Sequence, residues 1–335
     1  MHGLEHVSAL AQAERPAQPA ISCVVPAYNE AANLGPLLTE LTRVLTALTP
    51  RWEVLVVDDG SRDATALAIA PWLQHGGVRY LQLSRNFGKE AALTAGIDHA
   101  QGEVVVLLDA DLQHPPAMIP EMVTAWRQGA DMVCTARASR ADEGWRKRLG
   151  TWLFYHLVNT HSHAPIPVDA GDFRLMDRRV VDALKSLPER NRFMKGLYAW
   201  VGFRTTILPY TPAERLSGKS SFSMRRLSSL AFTGVTAFTN APLRLWSMLG
   251  AAIAFAALAF AAWIVVDHVI EGHDVPGWAT LVVGLAFSTG VQLLSVGILG
   301  EYIGRIFDEV KQRPVYIVGQ AHGRGLPPPD RSTDG

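Results

Sequence analysis

Val104-Val105-Val106-Leu107-Leu108-Asp109-Ala110-Asp111-Leu112-Gln113-His114-Pro115-Pro116 joins an apolar run to two carboxylates and a Pro-Pro stop. The β-branched, uninterrupted run is the composition of a strand buried on both faces. Two acids one residue apart at the end of such a strand are costly to bury without a positive partner. A divalent cation carrying a diphosphate meets that need, because Mg²⁺ commonly takes one or two carboxylates and completes its shell with substrate phosphates. The alternative is a strand-end turn whose acids face water.

The same pattern recurs upstream. Ile21 to Pro26 reads as a strand, followed by Ala27-Tyr28-Asn29-Glu30 and a helix from about Asn33 to Leu48. Trp52 to Val57 reads as a second strand, ending in Asp58-Asp59-Gly60-Ser61-Arg62-Asp63, with a helix to about His75. Val78 to Leu83 is a third strand before a helix over Lys89–Ala100, and Val104 to Leu108 a fourth before a helix over Met118–Gln128. Asp131 to Thr135 is a fifth. Alternation with short connections predicts an α/β fold with a mostly parallel, doubly wound sheet. Ligands bind beyond the carboxyl ends of such strands, where this chain carries Glu30, then Asp58 and Asp59, then Asp109 and Asp111. Neither a Gly-x-Gly-x-x-Gly turn nor a Gly-x-x-x-x-Gly-Lys-Ser/Thr loop is present, so metal rather than a glycine-rich cradle is expected to hold phosphate. Arg85, Lys89, Arg137, Arg215 and Lys219 are candidates to complete the clamp, each against the alternative of a solvated surface charge.

Lys plus Arg equals Asp plus Glu, 31 each, so overall charge argues for no nucleic-acid partner. Cys23 and Cys134 lie in apolar runs and read as buried structural thiols. Met1 to Ala20 lacks the apolar core of a signal peptide. Leu245 to Val266 and Val275 to Gly300 hold 22 and 26 residues without a charge, and about 20 suffice to span a bilayer. Arg225, Arg226 and Arg244 precede the first span, Arg305, Lys311 and Arg313 follow the second, and the link carries Asp267, Glu271 and Asp274. That bias places both termini in the cytoplasm of an inner or plasma membrane, with Trp246, Trp263 and Trp278 near the interfaces. The expected organisation is a flexible tail over 1–20, a catalytic domain over 21–216 and an interfacial region over 217–244. Two transmembrane helices with a short external loop follow over 245–304, then a tail over 305–335. Gly290, Gly297, Gly300 and Gly304 would allow close helix packing within a chain or in a homo-oligomer.

These motifs, in this order, resemble glycosyltransferase family 2 enzymes of GT-A fold. The likeness is greatest to the branch that glycosylates polyprenyl phosphates, which includes dolichol-phosphate mannose synthases and bactoprenol-phosphate glucosyltransferases. The matching segments are Val25–Glu30, Val57–Asp63, Asp109–Pro116, Ala170-Gly171-Asp172-Phe173-Arg174-Leu175, Asn191-Arg192-Phe193 and Arg215–Phe222. The resemblance implies a nucleotide-diphosphate sugar donor, a polyprenyl phosphate acceptor and a divalent metal, Mg²⁺ or Mn²⁺. Pro26, Tyr28, Glu30, Val57 and Asp59 would border the nucleoside, and Arg137 would lie near the donor. Asp109, Ala110, Asp111 and Gln113 would hold the diphosphate, with Asp109, Asp111 and Gln113 on the metal. Arg215 and Lys219 would contact phosphate, Lys219 in place of a family lysine at the position where this chain has Ser221.

The chemistry follows from the reactants. A phosphate monoester is largely dianionic at pH 7, so it attacks an anomeric carbon with little help from a base. The protein must position the reactants and stabilise the departing diphosphate. Asp172 is the candidate to orient or deprotonate the acceptor, against the alternative of a structural pair with Arg174. One-step attack would invert the anomeric centre. Two other functions remain open: a processive polysaccharide synthase, whose Gln-x-x-Arg-Trp-type motif this chain lacks, and a non-catalytic membrane scaffold with a degenerate transferase head.

Overall fold

A computed structural model of the protein describes residues 15–74, 76–137, 170–190, 192–210 and 277–326, together with scattered residues of 248–270. The chain alternates through β1 (Ile21–Ala27), α1 (Ala31–Leu48), β2 (Trp52–Asp58), α2 (Thr65–Ile69), β3 (Val78–Leu83), α3 (Lys89–His99), β4 (Val104–Leu107), α4 (Ile119–Arg127) and β5 (Met132–Arg137). It continues through β6 (Ala170–Asp177), α5 (Arg178–Ser186), α6 (Met194–Trp200), β7 (Thr205–Tyr210), α7 (Trp278–Val310) and β8 (Val318–Gly323).

One eight-stranded sheet has the order β7-β5-β6-β4-β1-β2-β3-β8. The core pairings β4–β1, β1–β2 and β2–β3 are parallel, as expected from the alternation. Side chains alternate between its faces. Val54, Val56, Val104 and Val106 pack with Leu34, Leu37, Leu41, Met122 and Trp126 of α1 and α4. Leu55, Val57, Val105 and Leu107 pack on the other side with Leu93, Ile97, Val181, Leu184 and Leu197 of α3, α5 and α6. Each such fully buried Leu or Ile contributes on the order of 1.5–3 kcal/mol relative to exposure. Helix α3 lies so close to β1 that a Cβ at Gly96 would meet Val24 Cγ1 at 2.1 Å.

The sheet is mixed rather than mostly parallel. β6 enters antiparallel between β4 and β5, and β8 is antiparallel on β3. β6 hides in the sequence because Asp172 and Arg174 interrupt its apolar pattern, although Arg174 is buried. β8 corrects the expected tail over 305–335: residues 318–323 pair with Arg79–Leu83. The tail over 1–20 is also partly docked. The Arg15 guanidinium lies over the Trp126 ring at 4.9 Å and 2.9 Å from Asp131.

At 33 residues, α7 is about 50 Å long. Its segment Val283–Val310 is the one helix among the described residues long and apolar enough to cross a membrane. The first uncharged stretch is described in part, and its described residues, including 252–257, are helical. Among the described residues, a Cβ placed at Gly290, Gly297, Gly300 or Gly304 meets nothing within 4 Å.

Candidate active site

Glu30, Asp58, Asp59, Asp109, Asp111 and Asp172 sit at the carboxyl ends of β1, β2, β4 or at the matching end of antiparallel β6. β1 lies between β2 and β4, so the strand order reverses there and opens a crevice. At the β2 end, Asp58 is buried and spent on structure. Its carboxylate accepts from Ser61 N at 2.8 Å and from the Tyr80 hydroxyl. Asp59 accepts from Phe87 N at 2.7 Å and Gly88 N at 2.8 Å, tying the β3–α3 loop to the β2 end. Gly60 is required at this crossing, since at φ +68° a Cβ would sit 2.5 Å from the Arg85 carbonyl carbon. Pro26 and Val57 are register partners on β1 and β2, with the exposed Tyr28 just beyond them.

Burial raises the Glu30 carboxyl above its usual value. The Asn33 hydrogen bond opposes this, and the Asp111 and Asp109 charges add to it. The ends of β1 and β4 therefore share one electrostatic site. Asp111 accepts from Gln113 N at 3.1 Å, and Leu112 between them takes a left-handed φ of 60°. Ala110 is buried beside them.

The antiparallel register completes the cluster. Leu107 pairs with Arg174, so two residues further along each strand Asp109 comes opposite Asp172. Between them lies Lys89, the first residue of α3. Its ammonium is 2.7 and 2.8 Å from the two Asp109 oxygens and 2.7 Å from Asp172 Oδ2. Lys195 Nζ stands 3.9 Å from the other Asp172 oxygen. Burial would raise the Asp172 carboxyl, but Lys89 and Lys195 outweigh it and hold it well below the usual carboxylate range. Lys89 is raised above its usual value, Asp109 and Asp172 overcoming its burial. Glu90 accepts from Met194 N at 3.2 Å, fastening α6 to α3. Burial, reinforced by Asp172, pushes its carboxyl up to about 7.

Arg174 does not form the alternative pair with Asp172. Its guanidinium donates to the Gly171 carbonyl at 2.9 Å and stacks on the Tyr198 ring at 3.6 Å. His114 is buried between Phe173 and Tyr210, and burial lowers its pKa, which favours the neutral ring. Nothing in the local sequence marks Glu90 or Lys195 as part of the site. Lys195 stands two residues past Asn191-Arg192-Phe193, and position alone linked neither residue to Asp172. Arg137 ends β5, while Arg215 and Lys219 lie outside the described residues.

Residues 22–185 match the family described as Glycosyl transferase family 2. An uncharacterized glycosyltransferase of Synechocystis, sll0501, is 45% identical over 90% of this chain and 96% of its own length. The chain belongs to glycosyltransferase family 2. Its catalytic head is the GT-A arrangement, a Rossmann-like mixed sheet with helices, and the protein is a glycosyltransferase. The SfII prophage-derived bactoprenol glucosyl transferase of Shigella flexneri is 44% identical over 92% of this chain and 99% of its own length. An Escherichia coli prophage bactoprenol glucosyl transferase homolog is 42% identical, over 89% and 98%. Residues 241–306 of the transferase match a second description, the GtrB C-terminal hairpin.

Proposed function

We propose that the transferase moves a sugar from a nucleotide-diphosphate sugar to a polyprenyl phosphate at the cytoplasmic face of a bilayer. The observation that carries this assignment is the near-full-length identity to bactoprenol glucosyl transferases. The site chemistry agrees: Asp172, ionised and held by two ammonium groups, lies opposite Asp109, with Asp111 two residues further along the chain.

Asp172 would orient the acceptor phosphate, or accept its remaining proton, beside the anomeric carbon. Lys195, joined by Lys89 before the donor binds, would keep its carboxylate in place. Direct displacement would invert the anomeric centre. Pro26, Tyr28, Glu30, Val57 and Asp59 would border the nucleoside, Arg137 the donor, and Arg215 and Lys219 the acceptor phosphate.

The donor set at the β4 end suits a divalent cation. Asp109 and Asp111 offer hard oxygen ligands one residue apart, and Asp109 already holds a cationic group on both oxygens. Among the described residues no group of three His, Cys, Asp or Glu is spaced to hold a metal, so a cation here would complete its shell from Gln113 and the donor phosphates. When bound it would supply Lewis-acid stabilisation of the leaving diphosphate.

The chain topology supports a two-span anchor. β8 follows α7 and hydrogen-bonds to β3 of the catalytic sheet. Both ends of the intervening segment therefore lie on one side of any membrane, which requires an even number of crossings. The α7 end is also moored to the head: Glu309 accepts from Arg190 N at 3.0 Å, and the Tyr316 hydroxyl donates to Asp98 at 3.0 Å. Such an anchor would hold the cleft where the acceptor's headgroup emerges.

The test is a panel of radiolabelled nucleotide sugars incubated with the full-length protein and either undecaprenyl or dolichyl phosphate. One donor should deliver label into organic-extractable lipid, with loss in EDTA and recovery on adding Mg²⁺ or Mn²⁺. Absence of lipid label with every donor would overturn the acceptor assignment, and EDTA-insensitive transfer would overturn the cation.

A further inference from the structure

We infer that Lys89 is a tethered counter-cation that closes the chelating face of Asp109 until the donor's diphosphate arrives, making metal binding conditional on nucleotide binding. This rests on the assignment of Asp109 and Asp111 to a divalent cation, and goes beyond it in giving Lys89 an exclusion role.

Three observations lead there. First, the Lys89 ammonium engages both oxygens of Asp109, at 2.7 and 2.8 Å, in addition to Asp172 Oδ2 at 2.7 Å. A cation on that face would stand where the ammonium stands, since carboxylate–metal distances are about 2.0–2.6 Å. Second, the root of the side chain is fixed while the side chain beyond it stays partly exposed to solvent. Asp59 pins the amides of Phe87 and Gly88, Gly88 turns the chain at φ +103°, and Ala91 to Ile97 of α3 are all buried. The Lys89 side chain itself is 45% exposed. Third, the site is crowded with acids. Glu30 is raised partly by Asp111 and Asp109, and Glu90 partly by Asp172. The Lys89 ammonium offsets that repulsion in the resting protein.

The groups facing Lys89 are Asp109, Asp172, Glu90, Lys195 and the neutral His114. A diphosphate entering the cleft gives Lys89 a third anionic partner and lets it leave Asp109. Lys195, 3.9 Å from Asp172 Oδ1, retains Asp172 when Lys89 swings away. Free metal would thus meet a neutralised, sterically closed carboxylate, whereas metal arriving with nucleotide would find it open.

The experiment measures Mn²⁺ binding to the detergent-purified full-length protein by the EPR signal of free Mn²⁺, without nucleotide and without assaying transfer. Lys89→Met and Lys89→Gln are compared with the wild type, with Lys89→Arg retaining the cation. Circular dichroism confirms folding, and the two neutral variants serve as independent substitutes should one fail to fold. Both are expected to bind Mn²⁺ at least about tenfold tighter than the wild type, because a unit positive charge in contact with the ligand has been removed. Lys89→Arg should stay close to the wild type, and adding Asp111→Asn to Lys89→Met should abolish the gain. Unchanged affinity in the neutral variants, with Asp111-dependent Mn²⁺ binding intact, overturns the role of Lys89 alone. Binding that is independent of Asp111 in every variant overturns the metal assignment and this inference together.

Discussion

Glu90 makes folding stability depend on pH in a calculable way. Its carboxyl is pushed from the usual 4.5 up to about 7 in the folded protein, by burial first and by Asp172 second. Between those values the folded chain holds a proton that the unfolded chain releases. Stability from this group is therefore fully present below about pH 4.5 and is lost as pH rises through about 7. At about 1.4 kcal/mol per pH unit, the interval corresponds to about 3 kcal/mol. That figure is an upper bound, because Glu90 keeps partial contact with water. Glu90→Gln retains an acceptor for Met194 N–H and removes the titration. Urea unfolding of the detergent-purified wild type and variant, followed by circular dichroism at pH 5 and pH 8, isolates the effect. Other shifted groups, including Glu30, Asp59 and His114, are common to both proteins and cancel in the difference. Relative to the wild type, the variant should gain up to about 3 kcal/mol on going from pH 5 to pH 8. The same pH slope in both proteins would refute a proton held by the buried Glu90 carboxyl in the folded protein.

Asp172→Asn should lower kcat by on the order of 10²–10⁴ while leaving the donor's KM nearly unchanged; equal losses in both would indicate a structural role. Asp111→Asn should abolish transfer with near-normal expression, and retained transfer would remove Asp111 from the metal site. The protein should remain in the membrane pellet after carbonate extraction, and release into the supernatant would refute a spanning anchor.

Much of the fold was written in local pattern. β1 to β5 fall within a residue or two of their expected spans because each is a short, apolar-rich run flanked by polar or turn-forming residues. Convergence of Glu30, Asp109 and Asp111 was equally legible, since parallel strands deliver their carboxyl ends to one edge whatever their lateral order. The apolar stretch behind α7 announced itself by length and lack of charge. Other features depended on partners distant in the chain. Arg174 and Asp172 spoil the apolar rhythm of β6, and only pairing with β4 and β5 explains a buried arginine there. The antiparallel register of that strand sets Asp172 against Asp109, and packing of α3 and α6 on the same face brings Lys89, Glu90 and Lys195 to them. Local composition dictates which segments become strands and where their acids emerge. Strand order, direction and register decide which charges meet, because those are properties of pairs of segments that the chain separates by scores of residues.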